Sequence, residues 1–381
     1  MNVADFGRSP RAQFHAASLS AEGWDVTVLA NPGSPAFDHV ANDVGIRRVN
    51  LVESMLQGRG IVGLWRKAVL FRRSLQTALE RLEPQPDVLF VMTPPAVPVL
   101  DVVRRWWRSR PSVRVVVDWH NLGHTRLAKR WGSWNPLVHH YRNSEFAPWP
   151  EGVRHLAVST ALASHVSAQT GCPSVQVLHD ANPAWRCFPN RDRCELLRRW
   201  GQGLEGLDPD ALWLVHPHSW SDDECPEWIL DALKDLRSSR MVQVIITGDG
   251  PLRRDFERRA RSSGVGGDRL LLPFLPPEAY VALMANADWG LCPHTSSSGL
   301  DLPMKLADMR GAGLPALVYR YGSVLHEVFS EPDDGRFFDS AGALCEAVQK
   351  IADGVWRGSA PRPSPGREAG WNRVVRPLLE S

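Results

Sequence analysis

The stretch HTSSSGLDLPMKLADMRGAGLP, residues 294–315, sets three serines, a glycine, a lysine and an aspartate between two apolar segments. Trp289-Gly290-Leu291-Cys292 before it reads as a buried strand end, and Leu302 to Met309 after it reads as a helix, so the serines fall at a strand-to-helix turn. Backbone N–H groups at such a turn point at an anion. Lys305 adds a positive charge one turn into the helix. Asp308, about one turn further on, offers a carboxylate that can accept from two vicinal hydroxyls, as on a ribose. Gly311, Gly313 and Pro315 mark a tight helix end before the strand Ala316-Leu317-Val318-Tyr319. One element could thus grip the phosphates and sugar of a nucleotide. The plainer alternative is a serine-rich surface loop capping an ordinary helix.

Apolar, β-branched runs alternate with helical patterns along the chain, the signature of parallel sheets covered by helices. In the first half the expected strands are Val26–Leu29, Val88–Val91, Val113–Val117, His155–Val158 and Val175–Leu178. In the second they are Leu212–Val215, Val242–Ile246, Leu270–Leu272 and Ala316–Val318, with helices near 226–238, 251–263, 277–286 and 303–312. Residues 186–210 lose this rhythm and suit a linker with a short helix. The expected organisation is α/β, two Rossmann-like doubly wound domains facing a cleft: 1–185, 186–357, and a tail 358–381 whose Trp371 and apolar companions fold back on the first domain. Ahead of the turn Phe6-Gly7-Arg8-Ser9 only Met1-Asn2-Val3-Ala4 is available, so the first strand is either very short or begins upstream of Met1.

The chain of 381 residues is long enough for two cores. No apolar run approaches a membrane span and no signal peptide is evident. Six scattered cysteines without Cys-x-x-Cys pairs indicate neither zinc nor a disulfide framework and fit a reducing cytoplasm. Charge is uneven: residues 1–150 hold 19 Lys+Arg against 12 Asp+Glu, leaving 25 against 30 for the rest. A basic, tryptophan-bearing half suits nucleic acid, an anionic membrane or a phosphorylated acceptor.

Several strings in order along the chain resemble one family, the chitobiosyl-diphospho-dolichol β-mannosyltransferases and their prokaryotic relatives. They are DFGRSPRAQFHAASLSAEGWDVTVL from Asp5, VVDWHNLGHT from Val116, HSWSDDE from His218, ITGDGPLRRDF from Ile246, the 294–315 stretch, and LHEVF from Leu325. The resemblance implies a GT-B architecture with GDP-mannose held by the C-terminal domain, and transfer of mannose with inversion to a GlcNAc-ended, lipid-diphosphate-linked acceptor. It implies no further cofactor. It places Ser296, Ser297, Ser298 and Gly299 at the diphosphate, Lys305 as its counter-charge and Asp308 on the ribose. Gly248 and Gly250 would border the donor, unless they only form a tight turn, and the loop from Phe274 to Tyr280 would meet the guanine. Glu327 would lie on the same side, if it is not simply an exposed carboxylate.

Departure of a nucleoside diphosphate develops negative charge, which fixed N–H dipoles and a cation stabilise without a metal ion. No Asp-x-Asp metal motif is present, and Asp222-Asp223-Glu224 after Ser221 reads as a helix start. Inversion also needs a base for the acceptor hydroxyl. Asp118 and His120, at the carboxyl end of the 113–117 strand, are the two candidates, with a buried structural role for Asp118 as the alternative. Gly7, Arg8 and Arg11 in the first glycine turn and its helix could bind the acceptor's diphosphate, and Ser9 with Pro10 reads as a helix start.

Eukaryotic members of the family carry an N-terminal membrane anchor and this chain shows none, so a lipid acceptor would be met by the folded surface, at the inner face of the membrane. Residues 61–82, with a basic flank beside an apolar stripe, form a candidate interfacial helix. Residues 104–108 and the Arg126 to Trp134 region repeat the basic and aromatic theme. Two rivals stand beside this reading. A retaining transferase would carry a glutamate in the phosphate loop and an Arg/Lys pair after the first C-terminal strand, which this chain lacks. A non-catalytic nucleic-acid or membrane module would leave residues 294–315 without a purpose, so nucleic acid is not an expected partner.

Overall fold

A computed structural model describes residues 1, 5–31, 33–51, 61–181, 192–201, 203–220, 223–358, 361 and 367–380, with the backbone alone for 61–67 and 367. The chain forms two units, Met1–His179 with Glu368–Ser381, and Asp180–Arg367. Both are built on parallel sheets.

In the first unit β1 (Val26–Ala30) pairs with β2 (Ile46–Asn50), while β3 (Val88–Thr93), β4 (Arg114–Trp119), β5 (Arg154–Ala157) and β6 (Val175–Val177) form a sheet in that order. Val115, Val116 and Val117 of β4 are all buried, as expected of a strand covered on both faces. Phe90, Val116, Leu156 and Leu178 share a core with Trp371, Val375 and Leu379 of the C-terminal helices Arg367–Val374 and Arg376–Glu380. Residues 2–4 lie outside the described residues. Beside them, Met92 donates its N–H to the Met1 carbonyl, and Asp5 forms a parallel bridge with Asn31.

The second unit holds β7 (Leu212–Pro217), β8 (Val242–Thr247), β9 (Leu270–Leu271), β10 (Trp289–Cys292), β11 (Ala316–Tyr319) and β12 (Gly335–Phe338). Across the sheet the order is β12-β11-β10-β7-β8-β9. The chain therefore starts in the middle at β7, runs outward to β9, and returns to the other side of β7 with β10. That reversal is the topological switch point, where doubly wound sheets bind ligands beyond the carboxyl ends of their strands. The linker 186–210 is described in part. Arg193, at the start of the helix Arg193–Trp200, donates to the carbonyls of Asn286, Pro209 and Ala211 and to the Asp288 carboxylate.

Parts of two surfaces expected to face a membrane pack within the first unit, while Leu70, Arg72 and Arg73 of the first and Arg105 and Arg108 of the second stay exposed. In the helix Ile61–Glu80, Leu75 and Leu79 of the apolar stripe are buried; the side chains of 61–67 lie outside the description. In the 104–108 segment Arg104 is 6% exposed, donates to the carbonyls of Ser144 and Glu145, and lies over the Trp149 ring. Trp106 is also buried and donates to the Leu79 carbonyl. Among the described residues no helix is long and apolar enough to cross a membrane.

Candidate active site

The switch point brings together the two loops that leave β7 and β10. Cys225 donates its N–H to the Pro293 carbonyl at 3.2 Å, Thr295 to the Asp223 carbonyl at 2.7 Å, and Glu224 forms an antiparallel bridge with His294. Asp223 and Glu224 thus do not start a helix, and Asp222 lies outside the described residues. The following helix begins at Pro226 with Cys225 before it, and Glu224 is buried beneath the serine loop.

The serine loop is organised from within. Ser296 Oγ accepts from the N–H groups of Ser298 (3.2 Å) and Gly299 (2.7 Å), and Ser298 Oγ accepts from Leu300 N–H. Both hydroxyls donate to Asp301 Oδ1, the Ser298 one at 2.9 Å. Burial alone would raise the Asp301 pKa, but hydrogen bonds from His294 and these serines hold it below its usual value. The hydroxyls of Ser296 and Ser298 therefore shape the turn, as do the N–H groups of Ser298 and Gly299. This differs from the expected array of free donors. Gly299 supplies the left-handed residue of the turn (φ 71°), and Ser297 is half-buried. Asp301, not singled out in the sequence, is the acceptor around which the loop folds.

Lys305, on the helix Met304–Ala312, is nearly buried at 10% side-chain exposure and donates to Glu224. The other Glu224 oxygen accepts from the Ser219 N–H at 3.1 Å and from His218 Nδ1. Burial would raise the Glu224 pKa, but the Lys305 ammonium and the His218 bond reverse the sign and hold it well below the carboxylate range. His216 donates through Nδ1–H to the Leu291 carbonyl, and burial followed by the Lys305 charge lowers its pKa well below the ordinary histidine value. His216, His218 and Glu224 bring ligand-type atoms within 4.8 Å of one another. Lys305 already places a cation on that carboxylate, which disfavours a second one there.

Asp308, half-buried one turn beyond Lys305, accepts from the Tyr280 hydroxyl at 2.8 Å. Burial lifts its pKa to about 7 against the opposing Tyr280 bond and Lys305 charge. Tyr280, expected only as the end of a guanine-facing loop, is thus a direct partner of the ribose candidate.

Gly248 and Gly250 have structural reasons of their own. Gly248 has φ 107°, and a Cβ there would lie 2.0 Å from the His218 carbonyl oxygen; at Gly250 it would lie 2.6 Å from that of Ser219. The TGDGP turn packs its backbone directly against the loop after β7, and Trp220 seals the contact by donating to the Gly248 carbonyl. Glu327 ends the short 3-10 turn Ser323–Glu327 and is half-buried. Tyr321, in the segment before that turn, donates to the Asp301 carbonyl at 2.6 Å.

In the first unit Asp118 is fully buried. Arg11 Nε and Nη2 reach its two oxygens at 2.7 and 2.8 Å, and His15 Nε2 lies 2.9 Å from Oδ2. Burial would raise the Asp118 pKa, but Arg11 and His15 overturn this and hold it far below the carboxylate range. A carboxylate so paired and closed off from solvent is a poor proton acceptor, which corrects its candidacy as base. The same pair removes Arg11, 3% exposed and also bonded to the Leu178 carbonyl, from the set able to bind an acceptor diphosphate. His120, immediately after β4, is half-buried and donates its N–H to the Thr93 carbonyl. Arg8 is exposed and donates to Ser34 Oγ at 3.2 Å. Gly7 is dictated by packing, since a Cβ would lie 2.2 Å from the Ser34 carbonyl oxygen. Ser9 precedes the helix Pro10–Ala21 without a side-chain capping bond, and Pro10 takes the first position.

The human chitobiosyldiphosphodolichol beta-mannosyltransferase is 30% identical over 394 residues, covering 92% of this chain and 83% of its own. The Yarrowia lipolytica protein of the same name is 30% identical, covering 84% and 72%. The chain belongs to this family. It is a glycosyltransferase. A further relative is the Arabidopsis thaliana protein named UDP-glycosyltransferase TURAN, 29% identical over 99% of this chain and 96% of its own. No family model matches. Among solved structures, WaaG, a glycosyltransferase involved in lipopolysaccharide biosynthesis, superposes with a TM-score of 0.63 at 15% identity, covering 92% of this chain and 89% of its own. Anabaena Alr3699/HepE in complex with UDP and glucose gives 0.65 at 14%, covering 100% and 97%. These likenesses show the GT-B fold.

Proposed function

We propose that the protein transfers mannose from GDP-mannose, with inversion, to a GlcNAc-ended acceptor carried on a lipid diphosphate at the cytoplasmic face of a membrane. The observation that carries the reading is the meeting at the switch point of Lys305, Glu224 and the Asp301-ordered serine loop, with Asp308 one helical turn away. The relatives' names supply the sugar and the acceptor. Lys305 stands where a diphosphate would, charge-paired with Glu224 until the ligand arrives, and Asp308 takes the ribose hydroxyls.

In the transfer the bond from mannose C1 to the β-phosphate oxygen breaks and one from C1 to the acceptor oxygen forms. The electron pair leaves with GDP, where Lys305 and the N-terminus of the Met304–Ala312 helix stabilise it. The acceptor proton passes to a base in the first unit, for which His120 is the remaining candidate, and Arg8 is the remaining arginine of the first turn for the acceptor's diphosphate. No step draws on a metal ion.

Incubation with GDP-mannose and a panel of lipid-linked and free GlcNAc-ended acceptors, followed by mass spectrometry and proton NMR of the new anomeric centre, tests this. A β-linked mannose is expected, with His120→Asn lowering turnover while GDP binding is kept. Consumption of a UDP-sugar alone, as the name of the Arabidopsis relative raises, overturns the donor, and an α-linkage overturns the inversion.

A further inference from the structure

The first unit carries a surface that neither its core nor the proposed chemistry uses. Between Asp118 and Glu145 the sequence has no acidic residue, while Arg126, Lys129, Arg130 and Arg142 fall there. The helix Gly123–Trp131 presents Arg126, Lys129 and Arg130 at exposed positions with i, i+3, i+4 spacing, so they share one face. The turn that follows holds Trp134 at 90% exposure, and the next helix, Pro136–Glu145, opens with Leu137 at 48%. A tryptophan this exposed contributes nothing to the core, and an aromatic and an aliphatic tip beside a cationic face is the pattern of an interfacial anchor.

The tip is held in shape. Gly132 turns the chain at φ 83°, a conformation that disfavours other residues, and its N–H reaches the Ala128 carbonyl at 2.8 Å. Asn135 caps the second helix by accepting from Leu137 N–H at 2.9 Å, with Pro136 at its first position. The two helices are tied at their far ends, where buried Glu145 accepts from the Gly123 and His124 N–H groups and from His124 Nδ1. Docking of a preformed tip carries little ordering cost.

We propose that the turn between these helices is the membrane-docking element of the protein: Trp134 and Leu137 enter the headgroup region of an anionic bilayer, and Arg126, Lys129 and Arg130 pair with its lipid phosphates. This rests on the proposed lipid-linked acceptor and assigns its membrane contact to a place other than the helix Ile61–Glu80 or residues 104–108. The absence of acids across this whole segment is what selects an anionic partner, toward which each of the three cations contributes about 1 kcal/mol.

The test is co-sedimentation of the whole protein with vesicles of phosphatidylcholine alone and of phosphatidylcholine with phosphatidylglycerol. The wild type is expected to bind the anionic vesicles and to be weakened by salt. Trp134→Ala with Leu137→Ala is expected to lower partitioning at least tenfold with unchanged circular dichroism, and serine at Arg126, Lys129 and Arg130 to lower it about fivefold per residue on anionic vesicles only. Leu70→Ala, also at an exposed apolar position, should leave binding unchanged. Equal binding by the Trp134/Leu137 variant, loss of binding with Leu70→Ala instead, or no vesicle binding by the wild type overturns the assignment. Mannose transfer to a water-soluble acceptor separates the two readings. It should persist in the Trp134/Leu137 variant, and its absence from a wild type that still binds vesicles would count against the proposed activity and leave the docking element standing.

Discussion

Glu224 accepts from the ammonium of Lys305, 81 residues further along the chain, and this pair joins the loop after β7 to the helix after the serine loop. Both side chains are nearly buried, so neither charge is tolerable alone. Glu224→Ala or Lys305→Ala should each destabilise the second unit by about 3–5 kcal/mol, and the double replacement by clearly less than their sum. Urea denaturation of the four proteins measures this. Additive losses would show that the two side chains do not interact.

Lys305→Ala and Glu224→Ala should differ in ligand binding. If Lys305 meets the diphosphate, its removal weakens GDP by about 1.5–3 kcal/mol, the range of a charge-assisted hydrogen bond. Loss of Glu224 removes a competitor for the ammonium as well as a scaffold. Isothermal titration with GDP on the folded fraction reads both, and equal GDP affinity in wild type and Lys305→Ala sinks the assignment of Lys305.

Asp308 predicts a pH dependence. Its pKa in the folded protein is raised to about 7, so the carboxylate that would accept two ribose hydroxyls is half protonated near neutrality. GDP binding should strengthen from pH 6 to pH 8 by more than in Asp308→Asn. For stability the sign is opposite. The folded state holds this proton where the unfolded chain has lost it, so the contribution of Asp308 falls as pH rises from about 4 through 7. A wild-type binding profile parallel to that of Asp308→Asn would remove Asp308 from the ribose.

Asp118 separates a structural acid from a catalytic one. Its pKa is lowered, so its stabilisation is complete above the unfolded value near 4 and is lost as pH falls below it. Asp118→Asn leaves Arg11 buried without its counter-charge and should destabilise the first unit by about 3–5 kcal/mol at neutral pH. A variant of normal stability that has lost only turnover would return Asp118 to the role of base.

The glycines give a graded test. Gly248→Ala meets both a positive φ and a carbonyl oxygen 2.0 Å away, and should cost about 3 kcal/mol or more. Gly299→Ala has a positive φ but open space at its Cβ and should cost about 1–2 kcal/mol. Thermal melts of the two variants check the order.

The strands that the sequence made legible are those with β-branched residues at most positions, such as Val113–Val117 for β4 and Val242–Ile246 for β8, where four of five are Val or Ile. β2 (IRRVN) and β12 (GRFF) escaped because arginines interrupt their apolar pattern. β2 turns Arg47 and Arg48 to solvent, and β12 takes an outer place in its sheet, so neither needs the apolar run of a central strand. The two-unit α/β class and the family were likewise readable, because periodicity and motif order are properties of the linear chain.

What the tertiary structure decided is which polar residues meet. Strand order alone puts β7 beside β10, and only then do Glu224 and Lys305 become a pair, Asp301 the centre of the serine loop, and Tyr280 the partner of Asp308. The alternation of β4 turns Asp118 inward onto Arg11 and His15, which no local spacing announces. The basic and aromatic theme of the first unit was visible in the sequence, but whether a tryptophan is core or surface depends on the elements packed over it: Trp106 is covered and Trp134 is not. Burial and charge pairing are sums over neighbours distant in sequence, and they set both the pKa values and the exposed faces on which the chemistry depends.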